Sequence, residues 1–371
     1  MKKSLLAVAL LGTFAASAFA APSVTLYGRI DTGLVYTHAN PDQANQDSTD
    51  TVEMKSGFST GSRWGLKGTE DLGNAKVGFV LESGFTSDDG VSAQGGKLFG
   101  REALVSVSGA YGTLYAGRML TLASDGGSIG MLGETSAFGN AYGVASMKGS
   151  TGSAFARYDN TIAYASPTFA GLSAKAMYSF KGNSAEKDVD NNVLAENKAE
   201  STRYAAAGLQ YKAGAFTGVL TAEYTMWGNA NYRKLDDGVA VILGGNYDFG
   251  VAKVFAKATY FDNAASYEDT FDLKKLGLGT VKGWGAELGT DVPAFGGNFK
   301  AAVGYREAKN VDNTDVKAER WNAAVGYTYA FSKRTNVYGA VGYAQEKLKG
   351  TAEDDRTPNK VQAGFGLVHK F

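Results

Sequence analysis

The chain of 371 residues has no cysteine, two histidines and five prolines. Without cysteine it is neither a disulfide-stapled scaffold nor a thiol enzyme. A histidine-based triad or metal site has little to build on, because His38 falls in a predicted loop and His369 at a predicted strand end. No phosphate-binding loop motif occurs. The sequence therefore predicts no enzyme, no metal site and no cofactor.

Long apolar runs and an excess of charge are also missing. No stretch after the first 20 residues has 18 apolar residues in a row, so no membrane-spanning helix is predicted. Lys+Arg and Asp+Glu both number 37. Removal of Lys2 and Lys3 with an N-terminal signal peptide, described below, would leave 35 basic residues. This balance excludes the basic composition of a nucleic-acid-binding protein.

The leader is "MKKSLLAVALLGTFAASAFA". Two lysines precede the apolar stretch Leu5–Leu11, and Ala18 and Ala20 form an A-x-A pattern, which predicts a secretory signal peptide at 1–20. A membrane anchor is the alternative, but the apolar core is short and polar residues interrupt it. Residues 21–371 are predicted to form the exported domain.

Glycine and aromatic residues are plentiful, with 49 Gly, 20 Tyr and 20 Phe. Aromatic residues favour strands, and few prolines leave the backbone donors that a sheet needs. In "RWNAAVGYTY", Trp321 and Val325 lie on one face and Arg320 and Asn322 on the other. A period of two indicates strands with unlike faces.

Such alternation predicts sixteen strands, joined by seven short turns and eight long loops. An even number of strands with this asymmetry is typical of a transmembrane β-barrel whose turns are periplasmic and whose loops are extracellular. Many Tyr and Trp lie near the strand ends and charges recur on the polar faces, which favours a barrel that is apolar outside and polar inside. A soluble β-sandwich is the alternative, and it would expose wide aromatic patches to water. The strands are predicted near 22–36, 57–69, 75–86, 98–108, 111–119, 157–165, 171–180, 202–211, 215–226, 238–247, 251–261, 283–290, 298–308, 319–329, 335–346 and 359–371.

Several segments resemble the general porins of β-proteobacteria, and the resemblance covers the chain from about Ser23 to Phe371. It implies a homotrimer of sixteen-stranded barrels in the cell outer membrane, in contact with lipid and lipopolysaccharide. It also implies that Phe371 is part of the signal for the outer-membrane assembly machinery. The segments are "APSVTLYGRIDTGL", "GSRWGLKGTEDLG", "REALVSVSGAYGTLYAGR", "RYDNTIAYASPTFAGL", "AFSKRTNVYGAVGY" and "GLVHKF".

The longest loop, residues 120–156, is rich in Gly, Ser and Ala. A flexible surface segment is one interpretation of this composition, although loops this long are usually functional. The resemblance implies that this third long loop folds into the barrel and narrows the pore. Its carboxylates Asp125 and Glu134 are candidates for the constriction.

Basic residues at inward-facing positions are the other candidates. Alternation directs Arg63, Arg101 and Arg157 inward, and the resemblance implies that they match the basic cluster of a porin constriction. An inward Arg101 would turn Glu102 outward, and each arginine could instead be solvated or paired locally. Arg29, Arg118 and Lys67 are further lumen-facing candidates. Later strands add basic Lys175, Lys253, Lys257, Lys300, Arg306 and Arg320 against acidic Glu223 and Glu287.

The function predicted from these observations is a water-filled channel for passive diffusion of small hydrophilic solutes and ions, with a weak anion preference. The alternative is an outer-membrane barrel that acts as a specific receptor or enzyme. The missing nucleophile–histidine arrangement argues against the enzyme, and the lack of a large plug before the first strand argues against the receptor.

Overall fold

The computed structural model describes residues 23–148, 156–230, 235–264, 280–350 and 355–371. The predicted signal peptide lies outside this part of the chain. Within it, 17 strands form one antiparallel sheet, and no helix is both long enough and apolar enough to span a membrane. The strands are β1 (Ser23–Asn40), β2 (Thr49–Ser56), β3 (Arg63–Asp71), β4 (Lys76–Gly84), β5 (Glu102–Gly109), β6 (Gly112–Leu120), β7 (Arg157–Ala165), β8 (Leu172–Ser179), β9 (Arg203–Ala213), β10 (Phe216–Met226), β11 (Gly238–Asp248), β12 (Lys253–Ala264), β13 (Val281–Ala294), β14 (Gly297–Asn310), β15 (Lys317–Ala330), β16 (Thr335–Lys349) and β17 (Asn359–Lys370).

The sheet closes on itself because the first and last strands pair. The β1–β17 register runs from Arg29 opposite Lys370 to Asn40 opposite Asn359. Closure leaves no open edge, so the backbone groups of the wall bond to neighbouring strands. The result is the predicted closed barrel.

Two of the 17 strands share one position in the wall, so the barrel has sixteen strands, as predicted. β2 pairs with one half of β1 and β3 pairs with the other half. The predicted strand 57–69 is wrong over its first part, because 57–62 leave the wall between β2 and β3. Gly57 turns the chain with a φ of +72°, and the Asp31 carboxylate accepts hydrogen bonds from the backbone N–H groups of Ser59 (2.8 Å) and Thr60 (2.6 Å). Tertiary contacts therefore override the local strand preference.

The two faces of the wall have opposite character. Outward apolar side chains form rows across strands, such as Leu209, Leu220 and Leu243 on β9, β10 and β11, and all three are at least 40% exposed. Buried charged side chains lie on the inner face, among them Asp31 and Arg306, both 0% exposed. A water-soluble sandwich would have the reverse arrangement, so this pattern fits a barrel surrounded by lipid.

The connections differ at the two ends of the barrel. At the end called here the short-turn end, the connections are brief and use glycines with positive φ, such as Gly73 (+89°) and Gly250 (+81°). The opposite, long-loop end carries longer segments, including 85–101 and 121–156. We call residues 121–156 loop 3. Its described part, 121–148, lies against the inner wall.

Candidate functional site

An arginine cluster occupies the inner wall at β3 and β4. Glu82 is its centre: its Oε1 accepts a hydrogen bond from Arg101 Nε at 2.6 Å and lies 3.6 Å from Arg63 Nη1. Arg157 Nε donates to the backbone carbonyl of Arg101 at 3.2 Å. Tyr27 adds a hydrogen bond to Glu82 Oε2 at 3.0 Å. The structure therefore brings together the three arginines that alternation directs inward.

The strand register explains how Glu82 meets the arginines. Arg63 lies opposite Gly84, and Gly65 lies opposite Glu82, so Arg63 and Glu82 are diagonal neighbours on one face of the β3–β4 pair. Diagonal neighbours are within reach of long side chains. Arg101 approaches from the other side, where its backbone N–H donates to the Glu82 carbonyl at 3.1 Å.

Glu102 corrects a prediction made from alternation. The sequence suggested that an inward Arg101 would turn Glu102 outward, yet Glu102 is 5% exposed and accepts hydrogen bonds from Ser128 N (2.8 Å) and Ser128 Oγ (3.0 Å) of loop 3. Arg101 precedes β5, which begins at Glu102. Because alternation holds only inside a regular strand, both side chains can face the interior.

The three further basic candidates have different surroundings. Arg29 Nη1 donates to Thr60 Oγ1 at 3.4 Å. Lys67 is exposed, with its Nζ 5.2 Å from the centre of the Tyr27 ring. Arg118 donates through Nε to the Gly100 carbonyl at 2.9 Å and forms an ion pair with Asp159. Arg118 is thus held by local partners at the root of loop 3.

An apolar cluster holds the first half of loop 3 to the wall. Leu122, Ile129 and Leu132 of the loop are no more than 2% exposed, and they pack in one cluster with residues such as Val219 and Ile242. Burying side chains of this size contributes about 1.5–3 kcal/mol each. The loop therefore follows the inner wall from β7 towards β11.

Side-chain donors from the wall bind the loop backbone further along its path. Each donor reaches a loop carbonyl oxygen that the loop's own turns leave available. Wall side chains of this kind orient a chain that has little regular structure of its own. The bonds are Lys175 Nζ to Ile129 O (3.0 Å), Asn246 Nδ2 to Glu134 O (2.7 Å), Lys300 Nζ to Ala137 O (3.0 Å) and Asn322 Nδ2 to Ser146 O (3.1 Å).

The tip of loop 3 contacts strands near the seam. The Tyr142 ring meets the rings of Phe58 and Tyr338, with centroids 5.9 Å and 5.5 Å away. Gln362 of β17 accepts a hydrogen bond from Val144 N at 2.9 Å. Burial raises the pKa of the Tyr142 hydroxyl, which accepts a hydrogen bond from Ser59 Oγ at 2.9 Å. The loop thus crosses the interior from β6 to the last two strands.

The two loop carboxylates take separate positions. Asp125 accepts a hydrogen bond from Asn140 N at 2.9 Å within the loop. Glu134 points to the opposite wall, where its Oε2 lies 4.0 Å from Lys253 Nζ. The side chain of Glu134 is 46% exposed and that of Lys253 is 34% exposed. Both carboxylates are therefore inside the barrel and available to water in the lumen.

Inward carboxylates that the sequence analysis missed compensate part of the basic charge. Glu346 Oε1 lies 2.8 Å from Arg306 Nη2 and 3.4 Å from Arg320 Nη1, and Asp291 Oδ2 lies 2.7 Å from Lys300 Nζ. The alternation of inward Tyr338, Ala340 and Ala344 on β16 would have predicted an inward Glu346. The net basic charge of the later strands is therefore smaller than the sequence predicts.

Water-accessible space remains beside loop 3. One cavity of about 710 Å³ lies at the short-turn end and is lined in part by Arg29, Thr60, Asn298 and Lys370. A second cavity, of about 510 Å³, lies between loop 3 and the wall at β11–β14. No group of three or more His, Asp or Glu residues suited to a metal ion occurs in the described part of the chain. The arrangement offers fixed charges facing water, a chemistry suited to ion passage.

Comparison with known proteins agrees with this geometry. The family model of Gram-negative porins matches residues 7–349. The chain is 35% identical to an outer membrane porin protein of Bordetella pertussis, over the full length of both proteins. Its fold is similar to that of the anion-selective porin from Comamonas acidovorans, with a TM-score of 0.64, 26% identity and coverage of 94% of this chain and all of that one.

A more distant structure shares the fold alone. OmpT, an outer membrane protein of Vibrio cholerae described in trimer form, matches with a TM-score of 0.62 at 15% identity, covering 95% of this chain and all of that one. A closed barrel with apolar outer rows, a loop packed against the inner wall and a family match over most of the chain together lead to one conclusion. This chain belongs to the Gram-negative porin family.

Proposed function

We propose that the channel of this outer-membrane porin conducts small hydrophilic solutes and ions by passive diffusion, with a weak preference for anions set by Arg63, Arg101 and Arg157. The observation that carries the proposal is the unequal charge around Glu82, where three arginines lie with two inward carboxylates, Glu82 and Glu102. Family and fold indicate a channel rather than an enzyme.

Electrostatics supports a weak preference of the channel for anions. Fixed positive charge in a narrow passage raises the local concentration of anions and lowers that of cations. Salt screens this field over a Debye length of about 8 Å at physiological ionic strength. The loop carboxylates Asp125 and Glu134 oppose the arginines, so part of the effect is a field across the pore. The preference for anions should therefore weaken as salt increases.

The test replaces Arg63, Arg101 and Arg157 together with serine. In planar bilayers under a KCl gradient, we expect the reversal potential to shift towards that of a cation-preferring channel, because Glu82, Glu102, Asp125 and Glu134 remain. The matched control is the Lys198→Ser, Lys333→Ser and Arg334→Ser variant, which loses three exposed cations outside the barrel wall.

The control should keep the wild-type reversal potential. A wild-type channel with a strong preference for potassium would contradict the proposal. So would a triple arginine variant that retains the wild-type reversal potential.

The proposal includes assembly as a homotrimer in contact with outer-membrane lipid and lipopolysaccharide. The similar Vibrio cholerae protein is described in trimer form, and the outward apolar rows supply surface for lipid or for a second copy of the chain. Mass determination of the detergent-solubilised protein by light scattering tests the stoichiometry. A monomer that conducts like the native preparation would contradict the trimer.

A further inference from the structure

A row of basic residues crosses the seam of the barrel. The register places Lys370 of β17 opposite Arg29 of β1, and Arg29 opposite Arg63 of β3. Three neighbouring strands thus carry a cation at the same height on the same face. Like charges directly opposite each other destabilise a sheet unless counter-charges compensate them.

The compensation is uneven along this row. Arg63 has Glu82 as a partner, at 3.6 Å. Arg29 shares the neutral hydroxyl of Thr60 with Arg63, at 3.4 Å and 2.8 Å respectively. In the described part of the chain, neither Arg29 nor Lys370 forms an ion pair with a side-chain carboxylate or with the terminal carboxylate.

The terminal carboxylate of Phe371 accepts a hydrogen bond from Gly28 N at 3.2 Å, and the side-chain carboxylates act on Arg29 only at a distance. Glu82 and Asp31 both attract it electrostatically. The oxygens of Asp31, however, already accept hydrogen bonds from Ser59 N, Thr60 N and the Tyr338 hydroxyl, the last at 2.7 Å. Asp31 is 0% exposed and so does not face the lumen water. The uncompensated end of the row is therefore the pair Arg29 and Lys370.

Both cations line the cavity of about 710 Å³ at the short-turn end. No carboxylate is among the described residues that line this cavity, whereas Asn298 and Asn336 add amide N–H donors. Such a cavity readily accommodates a small hydrated ion. A guanidinium fork and an ammonium group are the side chains that bind oxyanions best, the first through two parallel hydrogen bonds and the second as a point charge.

We propose that Arg29 and Lys370 form an oxyanion-binding subsite at the short-turn end of the lumen, with hydrogen phosphate representing the small doubly charged oxyanions it takes. The subsite adjoins the arginines around Glu82, because Arg29 and Arg63 donate to the same Thr60 hydroxyl, and it adds a second station on the anion path towards the short-turn end. Occupancy is brief, because conduction requires that each site also release its ion. This inference rests on the proposed channel function.

The experiment measures chloride current through single channels while inorganic phosphate is added to one side of the bilayer and then to the other. The pH is mildly alkaline, so that the doubly charged form predominates. For the wild type we expect phosphate to reduce the chloride current in a saturable manner, more strongly from one side. In the Arg29→Gln/Lys370→Gln variant the half-blocking concentration should rise at least about tenfold, the effect of losing a charge-assisted contact.

Two further variants separate binding from folding and from total charge. Arg29→Lys/Lys370→Arg keeps both charges and should retain block within about threefold of the wild type. Lys187→Gln/Lys198→Gln removes two exposed cations from the long connection between β8 and β9, at the opposite end of the barrel, and phosphate should block this variant as it blocks the wild type. If the glutamine double variant does not fold, Lys370→Gln alone provides the comparison, because Lys370 is exposed at the end of β17.

The outcomes also distinguish this inference from the channel proposal. A wild-type protein without conductance would overturn the proposed function itself. Wild-type channels that conduct chloride but show no saturable block by phosphate would overturn the subsite alone. Equal block in the wild type and in the glutamine variant would have the same consequence.

Discussion

Gly28 provides the space that the last aromatic ring of the chain occupies. A Cβ at this position would overlap the Phe371 ring and approach the Arg63 carbonyl oxygen to 2.6 Å. The two backbones also bond to each other, with Gly28 N donating to Phe371 O at 3.2 Å and Phe371 N donating to Gly28 O at 3.1 Å. A single residue pair thus ends the seam between the first and last strands.

The Gly28→Ala variant tests this contact. The added methyl group forces the ring or the strand to move, and such overpacking costs about 1–3 kcal/mol. We expect the folded band on semi-native gels to convert to the unfolded band at a lower temperature than in the wild type. Gly339→Ala is the control, because the nearest atom to its added Cβ would be 3.9 Å away. Equal conversion temperatures for the two variants would contradict this packing.

Comparing variants of Phe371 and Gly28 distinguishes a role of the terminal ring at the seam from a role in assembly. We propose that the terminal aromatic residue is part of the assembly signal, so Phe371→Ala should reduce the amount of protein inserted in the outer membrane. Gly28→Ala should leave that amount near normal, since it keeps the terminal residue. Cell fractionation measures both. Normal insertion of Phe371→Ala would contradict the assembly role.

Among the elements, loop 3 depends most on side chains that other elements supply. It has only two short 3-10 turns in its described part, Leu132–Glu134 and Gly143–Ala145, so its path is set by apolar packing and by wall donors. Lys300 and Asn322 bind carbonyl oxygens at opposite sides of the tip. We therefore expect these two side chains to affect ion flow by positioning the loop.

The Lys300→Met/Asn322→Leu variant tests the positioning role. Loss of the donors leaves buried carbonyl groups unpaired, at a cost of about 1–3 kcal/mol each. We expect a noisier single-channel current and a changed mean conductance, while the amount of folded protein stays near normal. Lys76→Met is the control, because the side chain of Lys76 is 63% exposed and pairs with Asp71. A current as quiet as that of the wild type would contradict this role.

At the scale of the whole molecule, the apolar side chains of the outer surface determine the position of the barrel in the membrane. Leu243 is near the middle of β11, is 61% exposed and lies opposite Leu220. Phe249 is at the short-turn end and is 61% exposed. Two side chains of equal exposure therefore lie at different depths of the proposed membrane span.

Replacing each of these two residues with arginine tests how deep each position lies in the membrane. Leu243→Arg should destabilise the barrel in lipid vesicles by about 2–4 kcal/mol, because a charge near the midplane lacks water, whereas Phe249→Arg should cost about 0–1 kcal/mol. Urea titration of the reconstituted protein measures both changes. Equal losses of stability would contradict the proposed orientation, since depth would then have no effect.

Much of the fold and part of the site followed from alternation. It placed Arg63 on the inner face and Trp321 and Val325 on the apolar face that is outside in the structure, and it predicted β7 with its observed bounds. It failed where the chain leaves regular geometry. The segment 57–62 folds into the interior, and Arg101 and Glu102 share a side because one of them precedes the strand.

What the sequence by itself determined is the set of strands and their two faces, because side chains alternate within each strand whatever its neighbours are. Only the tertiary structure decided which side chains meet. Val144 reaches Gln362 and Tyr142 reaches Tyr338 across about two hundred residues of chain, and Arg29 meets Lys370 because the barrel closes. Contacts of that separation depend on the register and closure of the whole sheet, which no local pattern encodes.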